Sequence, residues 1–215
     1  EADYVIIANP DIHVTPRCIR RVKDALDKTQ GAVAASARVK DPMGGELFSY
    51  WTLLPLWKDL LDTGLVTRRL FKAMLNTPSY RLAYAGDEDC RLVDAVPGSF
   101  FMLKTGILTP GEIKEVFDKH IFLYYEEKVL GQKFRKMGLK TVLVTDESYV
   151  HAHSVSIDKS FKRIVDKQRL LHRSKLYYYK EYLGTGPAGM AAARAVLGLV
   201  LAEVWFLTVV CRIRW

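Results

Sequence analysis

Three short stretches of this chain carry residue types that can do chemistry. The first is Asn9-Pro10-Asp11, directly after the apolar run Tyr4–Ala8. A carboxylate at the C-terminal end of a buried strand lies where open α/β sheets bind ligands. One oxygen there can hold Mg²⁺ or Mn²⁺, which in turn grips a diphosphate. The same tripeptide is equally ordinary turn chemistry ahead of a helix. The second stretch, Phe122-Leu123-Tyr124-Tyr125-Glu126-Glu127, leads aromatics into two adjacent acids. Acids suit the first turn of any helix, because the dipole favours them there. They also suit a general base with a supporting neighbour, since two carboxyls beside aromatic walls have their proton affinities pushed apart. The third stretch is His151-Ala152-His153-Ser154-Val155-Ser156, followed by Lys159. Alternation along a strand puts both histidines on one face. A neutral imidazole can complete a metal site, while Ser156 and Lys159 can bind phosphate oxygens. A strand-end histidine packed against a loop fits the same residues.

The elements that must hold these groups are legible from pattern. Tyr4–Ala8 reads as a short strand buried on both faces. Thr15-Pro16 is a helix start, with Thr15 as N-cap, and that helix is expected to run to about Lys28, ahead of Gly31. GAVAASARV reads as the next strand, and Asp41-Pro42-Met43-Gly44-Gly45 as a turn joining two strands. Residues 48–76 place Trp51, Leu53, Leu54, Trp57 and Leu60 at roughly helical spacing before Arg68-Arg69, an amphipathic insertion. Its tryptophans suit a sugar face, a membrane or plain core packing. Strands are expected at Arg91–Val96 and Ser99–Lys104 around Pro97-Gly98, a helix from Glu126 to Met137, and strands at LKTVLV and SYVHAH. Residues 159–180 hold eight Lys/Arg against one Asp, interleaved with aromatics, which fits a helix lying on anionic lipid or solvated lysines on a helical pair. An apolar helix from Ala188 closes the chain. Arg194 and Glu203 interrupt it, so no 18-residue apolar stretch is expected to span a membrane.

A chain of 215 residues with net charge +8 is large enough for one substantial core and basic enough to favour an acidic partner. A nucleic-acid module would leave Asp11, Glu126 and Glu127 without a role, and no nucleic-acid motif is present. Cys18, Cys90 and Cys211 are scattered and odd in number, which points to reduced thiols in a cytosolic setting.

Taken in order, these stretches resemble glycosyltransferase family 2, the inverting enzymes of the GT-A fold. The likeness rests on NPDI at 9–12, DPMGG at 41–45, VPGSFFMLK at 96–104, FLYYEE at 122–127 and HAHSVS at 151–156, and it spans about residues 4–160. Rhamnosyl- and galactosyl-type polysaccharide transferases look closest. The resemblance implies an α/β fold, a GT-A-type mixed sheet flanked by helices over residues 1–157. A basic helix and an apolar helix over 158–215 form a C-terminal appendage.

It further implies that Asp11 and His151 hold Mg²⁺ or Mn²⁺, and that Asn9, Asp11, Ser156 and Lys159 bind a UDP- or dTDP-sugar. Glu127 stands at the base position with Glu126 beside it. The acceptor is a saccharide or lipid-linked sugar in cell-surface polysaccharide synthesis, met in the bacterial cytoplasm at the inner face of the membrane. Two departures matter. The base position is Glu where the family has Asp, which moves the carboxylate by about 1.5 Å, one C–C bond. Lys128 stands where a related subgroup carries a third acid, and this motivates the alternative of a catalytically silent partner subunit. Family members also carry a nucleotide-base-binding unit ahead of the NPD strand. The chain is therefore expected to be the later part of a longer protein, whose Tyr4–Ala8 edge, left open, can pair with a second copy as a homodimer.

Overall fold

The computed structural model describes residues 2–71, 75, 89–121, 123–152 and 164–212. The chain divides into two compact units. Glu1–Leu53, Pro78–His120 and Glu126–Ser154 form one; Leu54–Thr77, Ile121–Tyr125 and Val155–Trp215 form the other. In chain order the α-helices are α1 Pro16–Lys28, α2 Leu56–Leu61, α3 Leu65–Leu70, α4 Pro110–Glu115, α5 Glu126–Lys136, α6 Ile164–Glu181 and α7 Pro187–Trp205. The strands are β1 Tyr4–Ala8, β2 Ile12–His13, β3 Ala32–Lys40, β4 Cys90–Val93, β5 Phe100–Lys104 and β6 Lys140–His151.

Among the described residues, six strands form one sheet in the first unit, in the order β1-β5-β3-β6-β2, with β4 also paired to β6. Only β3 and β6 run parallel; the other pairs are antiparallel. β3 is the central strand, and its small residues Ala34, Ala35, Ser36 and Ala37 are buried because helices cover both sheet faces. On one face α1 packs Cys18, Val22, Ala25 and Leu26 against Phe100, Met102 and Tyr149. On the other, Leu130 and Phe134 of α5 pack against Val33, Phe101 and Leu103. β5 thus alternates strictly, even-numbered residues to one core and odd to the other. Each large apolar side chain so buried contributes about 1.5–3 kcal/mol. A mixed sheet flanked by helices is the architecture expected of a GT-A-like domain.

Local chemistry sets the boundaries. Thr15 caps α1 by accepting from the Cys18 backbone N–H at 3.1 Å, with Pro16 at the first helical position. Gly138 takes φ 71° just past α5, the left-handed conformation that stops a helix at least cost. The Asp41–Gly45 turn closes as expected, Asp41 Oδ1 accepting from Met43 and Gly45 N–H, but the second strand is reduced to a single bridge between Lys40 and Glu46. The two strands expected at LKTVLV and SYVHAH are one strand, β6, whose register against β3 jumps at Ala37/Arg38.

Two expectations are corrected. β1 is not buried on both faces, although its composition alone suggests it: among the described residues it pairs with β5 alone, leaving Val5 42% and Ile6 43% exposed at the open edge expected where no upstream strand covers it. The 48–76 segment is not helical throughout. Trp51 bridges Ala95 in extended conformation, and helix begins only at Leu56, after Pro55, breaking again before Gly64. Proline and glycine there override the apolar spacing.

Within the helical unit, α6 turns His172, Ser174, Lys175, Tyr178 and Tyr179 inward. The basic helix therefore does not keep all its cations in solvent, since Lys175 is buried against Asp59. Glu203 of α7 accepts from the Leu65 and Val66 N–H groups at the start of α3. Pro187–Val210 is long and apolar enough to cross a membrane by length and composition, even with Arg194 and Glu203 interrupting it. Leu199, Trp205, Phe206, Val209 and Val210 are exposed on it.

The close approach of α5 to the end of β4 is directly testable. A Cβ on Gly131 would lie 2.4 Å from the Asp94 carbonyl oxygen, a backbone atom that cannot swing away. Helix propensity alone favours Ala by up to about 1 kcal/mol. Overpacking is expected to win, so Gly131→Ala destabilises by about 1–3 kcal/mol in urea unfolding. A neutral or stabilised variant contradicts this packing.

Candidate active site

The site is assembled around one turn, Pro97-Gly98-Ser99, between β4 and β5. The chain leaves β1 at Ala8, and the Asn9 N–H donates to the Ser99 carbonyl at 2.8 Å. Pro10-Asp11 then turns the backbone into β2, which pairs with the end of β6, Ile12 opposite His151. The Ala152 N–H donates to the Asp11 carbonyl at 3.0 Å, fixing Asp11 beside that strand end. His151 Nε2 lies 3.4 Å from Asp11 Oδ1, and His151 is buried. The two residues expected to share one ion are therefore adjacent. An aspartate oxygen with an imidazole nitrogen is a donor pair that suits Mn²⁺, and a diphosphate could complete its shell. Among the described residues, no group of three or more His, Cys, Asp or Glu is placed to hold an ion without such help.

Glu126 and Glu127 open α5. The chain reaches them through Tyr124 and Tyr125, both left-handed at φ 66° and 72°. That conformation costs a non-glycine residue about 1–2 kcal/mol. Consecutive tyrosines in it must be held by their surroundings. Glu127 Oε1 lies 3.5 Å from the Gly98 N–H, a long contact, and a Cβ on Gly98 would touch the same oxygen. Burial, reinforced by the neighbouring Glu126 charge, pushes the Glu127 carboxyl up to about 7; the helix-start and Gly98 N–H groups and Lys128 pull it back only in part. Burial likewise raises Glu126, whose Oε2 is enclosed with no hydrogen-bond partner among the described residues. A carboxyl that gains and loses its proton near neutrality is suited to general-base work. A cavity of about 10 Å³ lined by Ala34, Val96, Phe101 and Leu130 ends on Glu127. It is at most water-sized, so it explains the desolvation and is not a sugar site. A larger cleft of about 290 Å³, lined by Asp94, Arg135 and Lys140, contains none of the expected site residues.

The turn itself is locked from behind. Ser99 Oγ and Tyr149 Oη are 2.7 Å apart, and the Tyr149 ring stands edge-on to Phe100 at 5.0 Å. Burial raises the Tyr149 hydroxyl, which keeps its proton. Ser36 Oγ donates to the Phe100 carbonyl at 2.6 Å. Sequence reasoning missed Ser99 and Tyr149. The available signal was strand alternation, since Tyr149 precedes His151 by two residues and shares its buried face. Of the other expected residues, Asn9 contributes its backbone to the turn, while His153, Ser156 and Lys159 lie outside the described residues.

No protein-family model matches this chain. It is similar to the N-acetylglucosaminyl-diphospho-decaprenol L-rhamnosyltransferase of two Mycobacterium tuberculosis strains, CDC 1551 / Oshkosh and ATCC 25618 / H37Rv. Identity is 28% over 160 residues in each case, covering 73% of this chain and 50% of the relative. The chain spans about half the length of the curated relatives it matches. This distant similarity supports a relationship to glycosyltransferases.

Proposed function

We propose that this chain carries the catalytic, acceptor-side part of an inverting glycosyltransferase of family 2. The protein transfers a sugar from a UDP- or dTDP-sugar to a lipid-linked saccharide in polysaccharide synthesis. The observation that carries the reading is the pairing of a desolvated acid, Glu127, with the Asp11–His151 pair through one turn, Gly98 touching the first and Ser99 holding the chain before the second. The similarity to a transferase that acts on a decaprenol-linked sugar supports the acceptor class.

In this mechanism Glu127 takes the proton of the acceptor hydroxyl as that oxygen attacks the anomeric carbon. The bond from that carbon to the nucleoside diphosphate breaks in the same step, so configuration inverts. Glu126 beside it is also raised by burial, and its charge reinforces the rise of the base. Asp11 and His151 would hold Mg²⁺ or Mn²⁺, which would supply charge stabilisation to the leaving diphosphate. Asn9, Ser156 and Lys159 complete the donor site. The protein works in the cytoplasm at the inner face of the cell membrane, and the exposed apolar residues of Pro187–Val210 support peripheral contact with the bilayer that carries the acceptor.

Three outcomes are expected of the full-length protein. With a panel of UDP- and dTDP-sugars and a lipid-linked acceptor, Glu127→Gln lowers kcat by about 10²-fold or more and leaves donor KM within about twofold. Full turnover in Glu127→Gln contradicts the assignment of the base, whereas no turnover by the wild-type protein with any donor favours a catalytically silent domain. Asp11→Asn and His151→Ala each raise the Mn²⁺ concentration for half-maximal rate by about 10-fold or more. Unchanged metal dependence in both removes them from the metal site. The third outcome concerns stability. Because folding raises the Glu127 pKa from 4.5 to about 7, ionising it opposes folding; the penalty is absent below the lower value and complete above the higher. Glu127→Gln therefore melts higher than wild type at pH 8, and the gain disappears toward pH 4.5. A variant that melts lower at pH 8 contradicts the desolvated environment.

A further inference from the structure

Two hydroxyls buried behind the Pro97-Gly98-Ser99 turn have no part in the proposed chemistry. Tyr149, on β6, is 1% exposed, and Ser99 is 8% exposed. Their oxygens lie 2.7 Å apart, and either can donate. A phenylalanine at 149 with an alanine at 99 would fill the same core without burying two polar groups, and a paired replacement of that kind can be nearly neutral for stability. What the pair supplies is position. In this turn the proline has no N–H and the glycine no side chain, so Ser99 carries the one side-chain hydroxyl able to pin it. The anchor is rigid. The Tyr149 ring stands edge-on to Phe100 at 5.0 Å in the core that Cys18 and Val22 share, and its backbone lies opposite Val39 of the central strand.

The pinned turn meets both parts of the site. The Gly98 N–H approaches Glu127 Oε1 at 3.5 Å, and the Ser99 carbonyl accepts from the Asn9 N–H at 2.8 Å, two residues before Asp11. Tyr149 itself precedes His151 by two residues on β6. All of these residues belong to the first unit. We propose that Tyr149 is a positioning residue for Glu127: by bonding the Ser99 hydroxyl it fixes the turn whose Gly98 N–H faces the Glu127 carboxyl and whose Ser99 carbonyl holds the chain leading to Asp11, and so sets the acid against the Asp11–His151 pair. The inference rests on the reading of Glu127 as the base. On that carboxyl burial and the Glu126 charge act upward, the α5 backbone, the Gly98 N–H and Lys128 act downward, and the Tyr149 phenol faces it from β6. A turn released from Tyr149 takes the Gly98 N–H away and lets the carboxyl rise further.

The test is made in the full-length protein. Tyr149→Phe and Ser99→Ala each take one hydroxyl from the pair, and each is expected to lower the melting temperature by about 2–4 °C or more. Each is expected to lower kcat by about 10-fold or more with donor KM within about twofold, as misplacement of a reacting group does. Each is also expected to move the titration of the Glu127 carboxyl, followed by ¹³C NMR, to higher pH. The double variant Tyr149→Phe/Ser99→Ala removes both hydroxyls, so it is expected to regain most of the lost melting temperature while kcat and the titration stay displaced. Ser49→Ala is the matched control. Ser49 Oγ, in the same unit, accepts from the Val39 N–H and donates to the Leu47 carbonyl, each at 2.9 Å, and its loss is expected to lower the melting temperature without moving the titration. A double variant that regains stability, kcat and titration together overturns the proposal, as does an unmoved titration in both single variants. Glu127→Gln, assayed in the same series, separates this proposal from the one it rests on. Full turnover in Glu127→Gln, with the titration still moved by the turn variants, removes the base assignment and leaves the positioning of the carboxyl by Tyr149 standing.

Discussion

The constraint on which the rest depends is the turn at Gly98-Ser99. Within three residues it touches the acid expected to act as base, holds the chain that carries Asp11, and bonds the hydroxyl of Tyr149 on the strand that ends in His151. The Glu127 carboxyl approaches the turn closely enough that a Cβ on Gly98 would be in van der Waals contact with its oxygen at 3.5 Å. The serine is needed where a buried tyrosine would otherwise lose a partner, a loss worth about 1–3 kcal/mol. Everything that aligns the first unit, the edge pairing of β2, the central β3–β6 ladder and the two-sided core, keeps this turn in register with the strand ends around it.

The acid pair shows how a fold can tune chemistry by exclusion. Glu127 is not raised by a specific partner; it is raised because water is kept away and because Glu126 carries a competing charge. Helix-start and Gly98 N–H groups limit the rise, so the carboxyl stays poised near neutrality and is not driven fully protonated. Within the helical unit, the left-handed Tyr125 donates its hydroxyl to the buried Asp59, which Lys175 also bonds. The interior of that unit is thereby polar where an ordinary helical pair would be apolar, and stability is given up for a defined backbone path.

Much of the local structure was legible because its causes are local. Thr15-Pro16 announces α1, Gly138 ends α5, and Asp41–Gly45 closes a turn by its own side-chain bonds. The juxtaposition of Asp11 and His151 followed from the order of motifs rather than from any one of them. What failed depends on partners distant in sequence. β1 reads as a buried strand by composition, yet burial requires neighbours on both sides, and it pairs on one side only. Trp51 has helical spacing, but a bridge to Ala95 holds it extended. Asp59 looks like one more solvent-facing acid in α2; its partners Lys175 and Tyr179 stand 116 and 120 residues later, beyond any periodicity. Tyr149 was within reach, since alternation alone places it beside His151.

The central claim is that a carboxyl desolvated at this turn, Glu127, limits the reaction as its base. The pH dependence of kcat/KM for the full-length protein tests it most directly, with donor and acceptor varied separately and the pH carried well below and above neutrality. The account predicts an acid limb with an apparent pKa of about 7, rising to an alkaline plateau, and its disappearance from the residual rate of Glu127→Gln. A full rate maintained at pH 5, or an unchanged acid limb in Glu127→Gln, would contradict it.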